Sequence, residues 1–120
     1  MRISIELDGS FWVIPEFFGI MGNALKEEGH EVGILTAHSS EIEEEDRKLL
    51  LARADFEPSF FYCRDKEDME MDMIQWKAGM IALKSIDVHF DHDATSLKYN
   101  VRIPVIMSIQ QEPFQYSKFE

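Results

Sequence analysis

The stretch Ile3-Ser4-Ile5-Glu6-Leu7-Asp8-Gly9-Ser10 reads as a short apolar strand that ends in two carboxylates, a glycine and a hydroxyl residue. Side chains alternate between the faces of a strand, so Glu6 and Asp8 are expected to lie together at its carboxyl end. Gly9 permits a sharp turn there, because it adopts positive φ without steric cost. Two carboxylates held this close repel each other unless a cation or a shared proton intervenes, and Mg²⁺ prefers carboxylate, water and phosphate oxygens. Taken alone, the stretch fits a metal site and a solvated acidic turn equally well.

Length and composition are those of one domain with a real core: the chain has 120 residues, of which 45% are apolar. A formal net charge of -11 argues against nucleic acid or an anionic membrane as the default partner, because both require a basic face. A contact with phosphate through a metal ion stays open. The single cysteine, Cys63, excludes an internal disulfide and favours a reducing, cytoplasmic setting. Neither a signal peptide nor a membrane-spanning run is expected.

Strand-like and helix-like segments alternate along the chain. Strands are predicted at about residues 2–7, 31–36, 59–63, 87–90 and 101–109, and helices at about 15–28, 41–54, 68–84 and 94–99, before a tail from about 110. This alternation predicts a three-layer α/β/α, Rossmann-like domain with a mainly parallel, five-stranded sheet. Pro104 places the fifth strand at an edge.

Three local features complete this prediction. The aromatic segment 10–14 is expected to form a small hairpin or flap over the end of the first strand. Ser40 and Glu43 fit a capping box that opens the second helix. Asp68 is expected to cap the third helix, whose predicted buried residues are Met73, Trp76, Met80 and Leu83.

Polar residues follow several of the predicted strands. In open parallel sheets the site lies beyond the carboxyl ends of the strands. That rule would bring together Glu6, Asp8, Thr36 and the acidic run at 91–93, with Lys77 as a candidate ammonium group. Such a set suits phosphoryl chemistry, because a metal and an ammonium neutralise charge while a helix start binds an oxygen.

The order of these residues resembles the haloacid dehalogenase-like (HAD) hydrolase superfamily over nearly the whole chain. The first motif of that family, D-x-D-G-[TS], corresponds to Glu6-Leu7-Asp8-Gly9-Ser10. The second corresponds to Thr36 at the end of the second strand, and the third to Lys77, with Lys84 as the alternate. The fourth corresponds to Asp91-His92-Asp93.

The resemblance implies a small Mg²⁺-dependent phosphatase without a separate cap domain, acting on a phosphate ester. Asp8 would be the general acid/base, and its backbone carbonyl would bind Mg²⁺. The implied catalytic residues are Glu6, Asp8, Thr36 and Lys77. The implied phosphate contacts are Gly9, Ser10, Thr36, Ala37 and Lys77. The implied Mg²⁺ site comprises Glu6, Asp8, Asp91 and Asp93.

One position departs from the family pattern. The family's nucleophile is the first aspartate of the first motif, and here that position is Glu6. Its extra methylene moves the carboxylate by more than an ångström, and a misplacement of about 1 Å can cost roughly a hundredfold in rate. Two functions therefore stay open: a phosphohydrolase with weak turnover, or an impaired binding or regulatory module that keeps the metal and phosphate contacts.

Further alternatives concern the surroundings of the site. A capless site is open, which favours large substrates or closure by a partner subunit, and a homo-oligomer is therefore an option. His38 is expected to touch substrate or, slightly preferred, to be solvated. A transition-metal cluster of His89, Asp91 and His92 is disfavoured, because strand alternation would direct His92 away from the other two. A receiver-like phosphoacceptor domain is disfavoured, because the third strand ends near Cys63 without an acceptor aspartate.

Overall fold

The structure is a computed structural model that describes residues 1–93 and the backbone of residues 105–107. The strands are β1 (Arg2–Ile5), β2 (Glu31–Leu35), β3 (Phe61–Tyr62), β4 (Val88–Asp91) and β5 (Val105–Met107). The helices are α1 (Pro15–Glu27), α2 (Glu43–Ala54) and α3 (Met73–Leu83), and short 3₁₀ helices span Phe11–Val13, Ser40–Ile42 and Lys66–Glu70. The helix predicted at 94–99 and the tail from about 110 lie outside the described residues.

The five strands form one parallel sheet in the order β3-β2-β1-β4-β5. This confirms the predicted parallel α/β fold, and β5 lies at an edge as Pro104 indicated. The strand order reverses between β1 and β4, and ligands of doubly wound folds bind at such a switch point. A receiver-type sheet has the order 2-1-3-4-5 instead. Because β3 is an edge strand here, the topology excludes the receiver-like alternative.

Apolar residues cover both faces of the sheet, which gives three layers. On one face, Phe18 of α1 and Leu50 of α2 pack against Ile3, Ile5 and other buried residues of β1 and β2. On the other face, Trp76 and Ile81 of α3 pack with Leu35, Phe60 and Ile86. Central parallel strands are buried on both sides for this reason. In the described part of the chain, no helix has the length and apolarity needed to cross a membrane.

The segment after β1 is a 3₁₀ helix, so the predicted hairpin or flap is wrong. The amides of Phe11 and Trp12 donate to the carbonyls of Glu6 and Leu7 at 2.9 and 3.0 Å, which folds the chain back onto the strand end. Phe11 is fully buried, and its ring stacks on Phe18 and Phe56 at centroid distances of 5.9 and 5.5 Å. The segment is therefore a plug in the core.

The start of α2 also differs from its prediction. A short 3₁₀ helix precedes α2, and the Ser39 hydroxyl accepts from the Glu41 amide at 3.2 Å. The Ser40 amide donates to Asp65 at 2.8 Å, so the Ser40–Glu43 capping box is wrong. The loop that follows β3 supplies this partner, Asp65, which local sequence did not indicate.

Helix α3 begins later than predicted. Its N-terminal cap is Asp72, whose side chain accepts from the Gln75 amide at 3.3 Å, and not Asp68. With this start, Trp76 and Ile81 are buried as apolar residues of the helix, whereas Met73 and Leu83 are exposed. The predicted buried side was therefore half wrong, and Lys77 occupies a buried position on it.

Gly33 on β2 provides a test of how tightly the sheet packs. A Cβ at this position would lie 2.5 Å from the carbonyl oxygen of Phe60, which belongs to the rigid backbone of the neighbouring segment. We expect Gly33→Ala to lower the free energy of unfolding by about 1–3 kcal/mol, measured by urea denaturation.

Gly79 on α3 is the matched control. Among the described residues outside its own helix backbone, no atom lies within 4 Å of a Cβ built there. Gly79→Ala is expected to raise the free energy of unfolding by about 0.5–1 kcal/mol, because alanine loses less backbone entropy in a helix. Equal effects of the two substitutions would contradict this account of the sheet.

Candidate functional site

The carboxyl ends of β1 and β4 bring together residues that are far apart in the sequence. The two strands pair through Ile5 and Phe90, and the Glu6 amide donates to the Phe90 carbonyl at 3.0 Å. Ligand atoms of Glu6, Asp91 and His92 all lie within 4.8 Å of one another. The predicted meeting of Glu6 and Asp91 at one rim is therefore confirmed, and it occurs at the switch point of the sheet.

Asp91 is a fully buried carboxylate that is bound on both oxygens. Lys77 Nζ donates to its Oδ2 at 2.6 Å, and His89 Nε2 contacts the same oxygen at 2.9 Å. The Asp93 amide donates to Oδ1 at 3.0 Å. Burial by itself would raise the pKa of Asp91, but the hydrogen bond from His89 and the charge of Lys77 outweigh it and hold that pKa well below its usual range. The group is consequently ionised at neutral pH.

His89 extends this contact to β1. It pairs with Ser4 in the sheet, and the Ser4 Oγ lies 2.7 Å from His89 Nδ1, both side chains being fully buried. A neutral imidazole satisfies this arrangement, because Nε2–H donates to Asp91 while Nδ1 accepts from the hydroxyl. Sequence reasoning missed the pair. The sequence feature that could have indicated the pair is a serine and a histidine, each within an apolar strand.

Glu6 is held by its own loop. Its Oε2 accepts from the Gly9 amide at 2.9 Å, the Ser10 hydroxyl at 3.2 Å and His92 Nδ1 at 3.1 Å. Gly9 and Ser10 are buried and both donate to Glu6, and their contact with a phosphate group stays a prediction. Strand alternation cannot place Glu6 and Asp8, because β1 ends at Ile5 and both residues lie beyond it; Glu6 contacts its own loop, whereas Asp8 contacts His38.

Asp8 belongs to a second group of side chains. Its exposed carboxylate accepts from His38 Nε2 at 2.7 Å, and the other nitrogen of His38 donates to Asp46 on α2 at 2.8 Å. Burial lowers the pKa of His38, but the hydrogen bonds to Asp46 and Asp8 exceed that effect and raise it above its ordinary value. His38 is therefore not a solvated loop residue, contrary to the preferred expectation.

Thr36 connects this group to the end of β2. Its hydroxyl oxygen accepts from the His38 amide at 3.1 Å, which leaves the hydroxyl hydrogen to be donated elsewhere. Ala37 lies exposed between the two residues. Asp46 was not a candidate in the sequence, because nothing in a run of acidic helix residues distinguishes the one that turns inward.

The two candidate lysines differ in position: Lys77 lies within α3, and Lys84 follows its last residue. Lys77 reaches Asp91 at the carboxyl edge of the sheet. Lys84 follows the last turn of α3, its carbonyl accepts from the guanidinium of Arg2 at the start of β1, and its Nζ lies 5.1 Å from the centroid of the Tyr62 ring. Lys77 is therefore the lysine that reaches the candidate site.

The donor atoms that could hold a metal differ from the predicted set. Among residues 1–93, Glu6, Asp91 and His92 form a group of three potential ligands, whereas the Asp8 carboxylate is paired with His38. The prediction that His92 points away from Asp91 is wrong: β4 ends at Asp91, and His92 Nδ1 lies 3.4 Å from Asp91 Oδ1. Two carboxylates fit Mg²⁺, and an imidazole nitrogen adds a softer donor.

Cys63 lies near this edge but is unsuited to nucleophilic chemistry. It packs against the core, and burial, together with the nearby carboxylate of Glu43, raises the pKa of its thiol to about 12. The thiol is thus protonated at neutral pH and is a poor nucleophile.

Comparison with known proteins supports the fold and goes no further. No protein-family model matches the chain, and no curated protein matches it significantly. A chain in the solved structure "Structure of Pnkp1/Rnl/Hen1 complex" is similar, with a TM-score of 0.68 and 13% sequence identity. The similarity covers 94% of this chain and 47% of that one, so this chain spans about half the length of the protein it resembles.

The Lys77–Asp91 pair gives a testable stability prediction. Removing one partner of a buried ion pair leaves the other charge uncompensated, so Lys77→Met is expected to lower the free energy of unfolding by about 3–5 kcal/mol at pH 7. Lys84→Met is the control and should cost less than about 1 kcal/mol. Urea denaturation measures both.

The same pair predicts a pH dependence. A carboxyl whose pKa is lowered in the folded state stabilises the fold above its unfolded pKa of about 3.9, and that contribution is lost as the pH falls. The difference in unfolding free energy between the native protein and Lys77→Met should therefore shrink below about pH 4. A difference that stays constant down to pH 2 would show that Lys77 acts through packing alone.

Proposed function

We propose that this chain is a Mg²⁺-dependent phosphohydrolase of the HAD type with slow turnover on a phosphate ester. The observation that carries the proposal is the meeting of Glu6, Asp91 and Lys77 at the switch point between β1 and β4. Thr36 at the end of the adjacent β2 adds a hydroxyl group, and Lys77 Nζ lies 2.6 Å from Asp91. The shared fold with a solved structure is compatible with this function but does not carry it.

The proposed reaction has two steps. A carboxylate oxygen of Glu6 attacks phosphorus, the bond from phosphorus to the ester oxygen breaks, and the departing alcohol takes a proton from Asp8. Water then attacks the phosphorus of the acyl-phosphate, Asp8 accepts its proton, and inorganic phosphate leaves with Glu6 restored. A bound Mg²⁺ would supply charge neutralisation of the transferring group. Thr36 would donate its hydroxyl to a phosphoryl oxygen.

His38 and Asp46 support the proposed role of Asp8. The 2.7 Å contact between His38 Nε2 and Asp8 Oδ2 fixes the orientation of an otherwise exposed side chain. It also provides a path for a proton between the two groups. Asp46, which is buried, holds the opposite nitrogen of His38 and thereby fixes the ring. An acid/base held in this way loses less entropy on reaching its productive position.

A second candidate function rests on the contacts of Glu6. Three donors converge on one of its carboxylate oxygens, which stabilises the lone pairs that a nucleophile must use. Glu6 is also one methylene longer than the aspartate of the family pattern. Both features favour a module that binds a metal and a phosphate group for recognition or regulation. The same residues would then bind the ligand without forming the acyl-phosphate.

The surroundings of the site bear on the substrate. The intervals in which many family members carry a cap hold a 3₁₀ helix and α1 after the first motif, and α2, β3 and two 3₁₀ helices between Thr36 and Lys77. We propose that a large phosphate ester, or a second copy of the chain, closes the site. A cytoplasmic setting stays a prediction from the single cysteine.

Glu6→Asp, compared with the native protein, distinguishes the two candidate functions: release by the native protein above an Asp8→Asn control supports the phosphohydrolase, whereas release only after Glu6→Asp supports the binding or regulatory module. Shortening the side chain restores the reach of the family's nucleophile, so we expect a gain of roughly tenfold to a hundredfold in Mg²⁺-dependent release of p-nitrophenol from its phosphate ester. Asp8→Asn in the native background is the inactive control, and the double variant should be equally inactive. If neither the native protein nor Glu6→Asp exceeds Asp8→Asn, the phosphohydrolase proposal is wrong.

His38→Gln tests whether His38 assists Asp8 as the general acid. An alkyl leaving group needs protonation by an acid, whereas p-nitrophenolate does not, so the loss in kcat should be at least about tenfold larger for an alkyl phosphate. The measurement uses the Glu6→Asp protein, and His30→Gln, at the amino-terminal end of β2, is the control. Equal losses with both substrates would remove His38 from the acid/base function.

A further inference from the structure

His92 is positioned like a ligand of a metal ion. Its Nδ1 lies 3.1 Å from Glu6 Oε2 and 3.4 Å from Asp91 Oδ1. Ligands that stand about 2.0–2.2 Å from a metal in a tetrahedral or octahedral site are roughly 3.0–3.5 Å from each other. The two distances therefore match the spacing between neighbouring ligands around one ion.

The surrounding residues hold these three side chains in place before any ion binds, and an ion would take the place of the proton that His92 Nδ1 donates to Glu6, leaving the ring proton on Nε2. Asp91 is fixed by Lys77 and His89, and Glu6 by the loop that follows it. The imidazole of His92 rests directly on Gly9, where a Cβ would lie 1.9 Å from Nδ1. Metal ligands are commonly oriented by such outer hydrogen bonds and contacts. Only glycine at position 9 admits the ring.

Access to the site comes from the side of His92. The His92 side chain is 36% exposed, whereas that of Glu6 is 11% exposed and that of Asp91 is fully buried. An ion would reach both carboxylates past the imidazole. His89 contacts the other oxygen of Asp91 and is itself bonded to Ser4, so it positions Asp91 and is not a ligand.

We propose that His92 ligates a divalent ion together with Glu6 and Asp91, and that this site prefers a first-row transition ion such as Mn²⁺, Co²⁺ or Zn²⁺ over Mg²⁺. An imidazole nitrogen favours these ions, whereas an all-oxygen site suits Mg²⁺. The inference rests on the proposed function only in placing the ion at the same acidic rim. Binding of the ion requires no turnover.

Titration of the metal-free protein with Co²⁺ tests the proposal through its visible d–d absorption. We expect the native protein to develop these bands, Zn²⁺ to abolish them, and an equal concentration of Mg²⁺ to leave them in place. His92→Asn keeps an N–H donor toward Glu6 but lacks the imidazole, and it should bind Co²⁺ at least about tenfold more weakly. His30→Asn is the matched control and should bind as the native protein does.

A second measurement needs no variant. Substoichiometric Mn²⁺ should broaden the imidazole proton resonances of His92 before those of His30. Unchanged Co²⁺ affinity in a folded His92→Asn protein, displacement of Co²⁺ by equal Mg²⁺, or broadening that spares His92 would each overturn the proposal.

The two proposals fail separately. Phosphate release supported by Mg²⁺ and unaffected by His92→Asn would leave the phosphohydrolase in place and refute the role of His92. Co²⁺ binding through His92 in a protein that releases no phosphate, even as Glu6→Asp, would do the opposite.

Discussion

The buried charge of Asp91 is the constraint around which both the fold and the candidate site are arranged. Removing a carboxylate from water costs several kcal/mol, and this cost is offset only where opposite charge and hydrogen bonds meet it closely. Lys77 provides the charge from α3, and His89 provides a hydrogen bond from within β4. One of the contacts between the third helix and the sheet is therefore also the one that fixes an ionised carboxylate at the switch point.

The carboxyl edge of the sheet carries two groups of titratable side chains, one on the β4 side and one on the β2 side. On the β4 side, the partners of Asp91 keep it ionised, and Glu6 beside it accepts three hydrogen bonds. On the β2 side, His38 lies between two carboxylates and contacts the exposed Asp8. The proposed phosphoryl transfer would use fixed negative charge at the candidate cation site and a proton donor beside the exposed acid. The loop that begins at Glu6 joins the two sides.

The sequence predicted most of the fold because strand and helix periods and terminator residues are local signals. Pro15 and Gly29 marked the ends of α1 closely, and the rule for parallel sheets was enough to predict that Glu6 and Asp91 meet. Predictions of side-chain direction failed where strand alternation was extended past the residue at which the strand ends. Because β1 ends at Ile5, alternation does not govern Glu6 and Asp8, and because β4 ends at Asp91, His92 can contact Glu6.

Other features depend on contacts between distant segments and left no local trace. Asp46 differs from its acidic neighbours on α2 only in facing His38 across a loop. The register between β1 and β4, which places Ser4 opposite His89, is likewise a property of the assembled sheet. The contacts of the side chains at the site could thus be found only from the structure, whereas the helices and strands that carry them could be predicted from the sequence.

The aromatic plug at Phe11 has a mechanical consequence for the loop that carries Glu6 and Asp8. Its ring packs between α1 and the segment that connects α2 to β3, and its amide donates to the Glu6 carbonyl. The loop cannot swing outward without drawing an aromatic side chain out of the interior. Any element that closes over a bound ligand must therefore belong to another segment or another molecule. The loop from Glu6 to Asp8 would keep its position when that element closes.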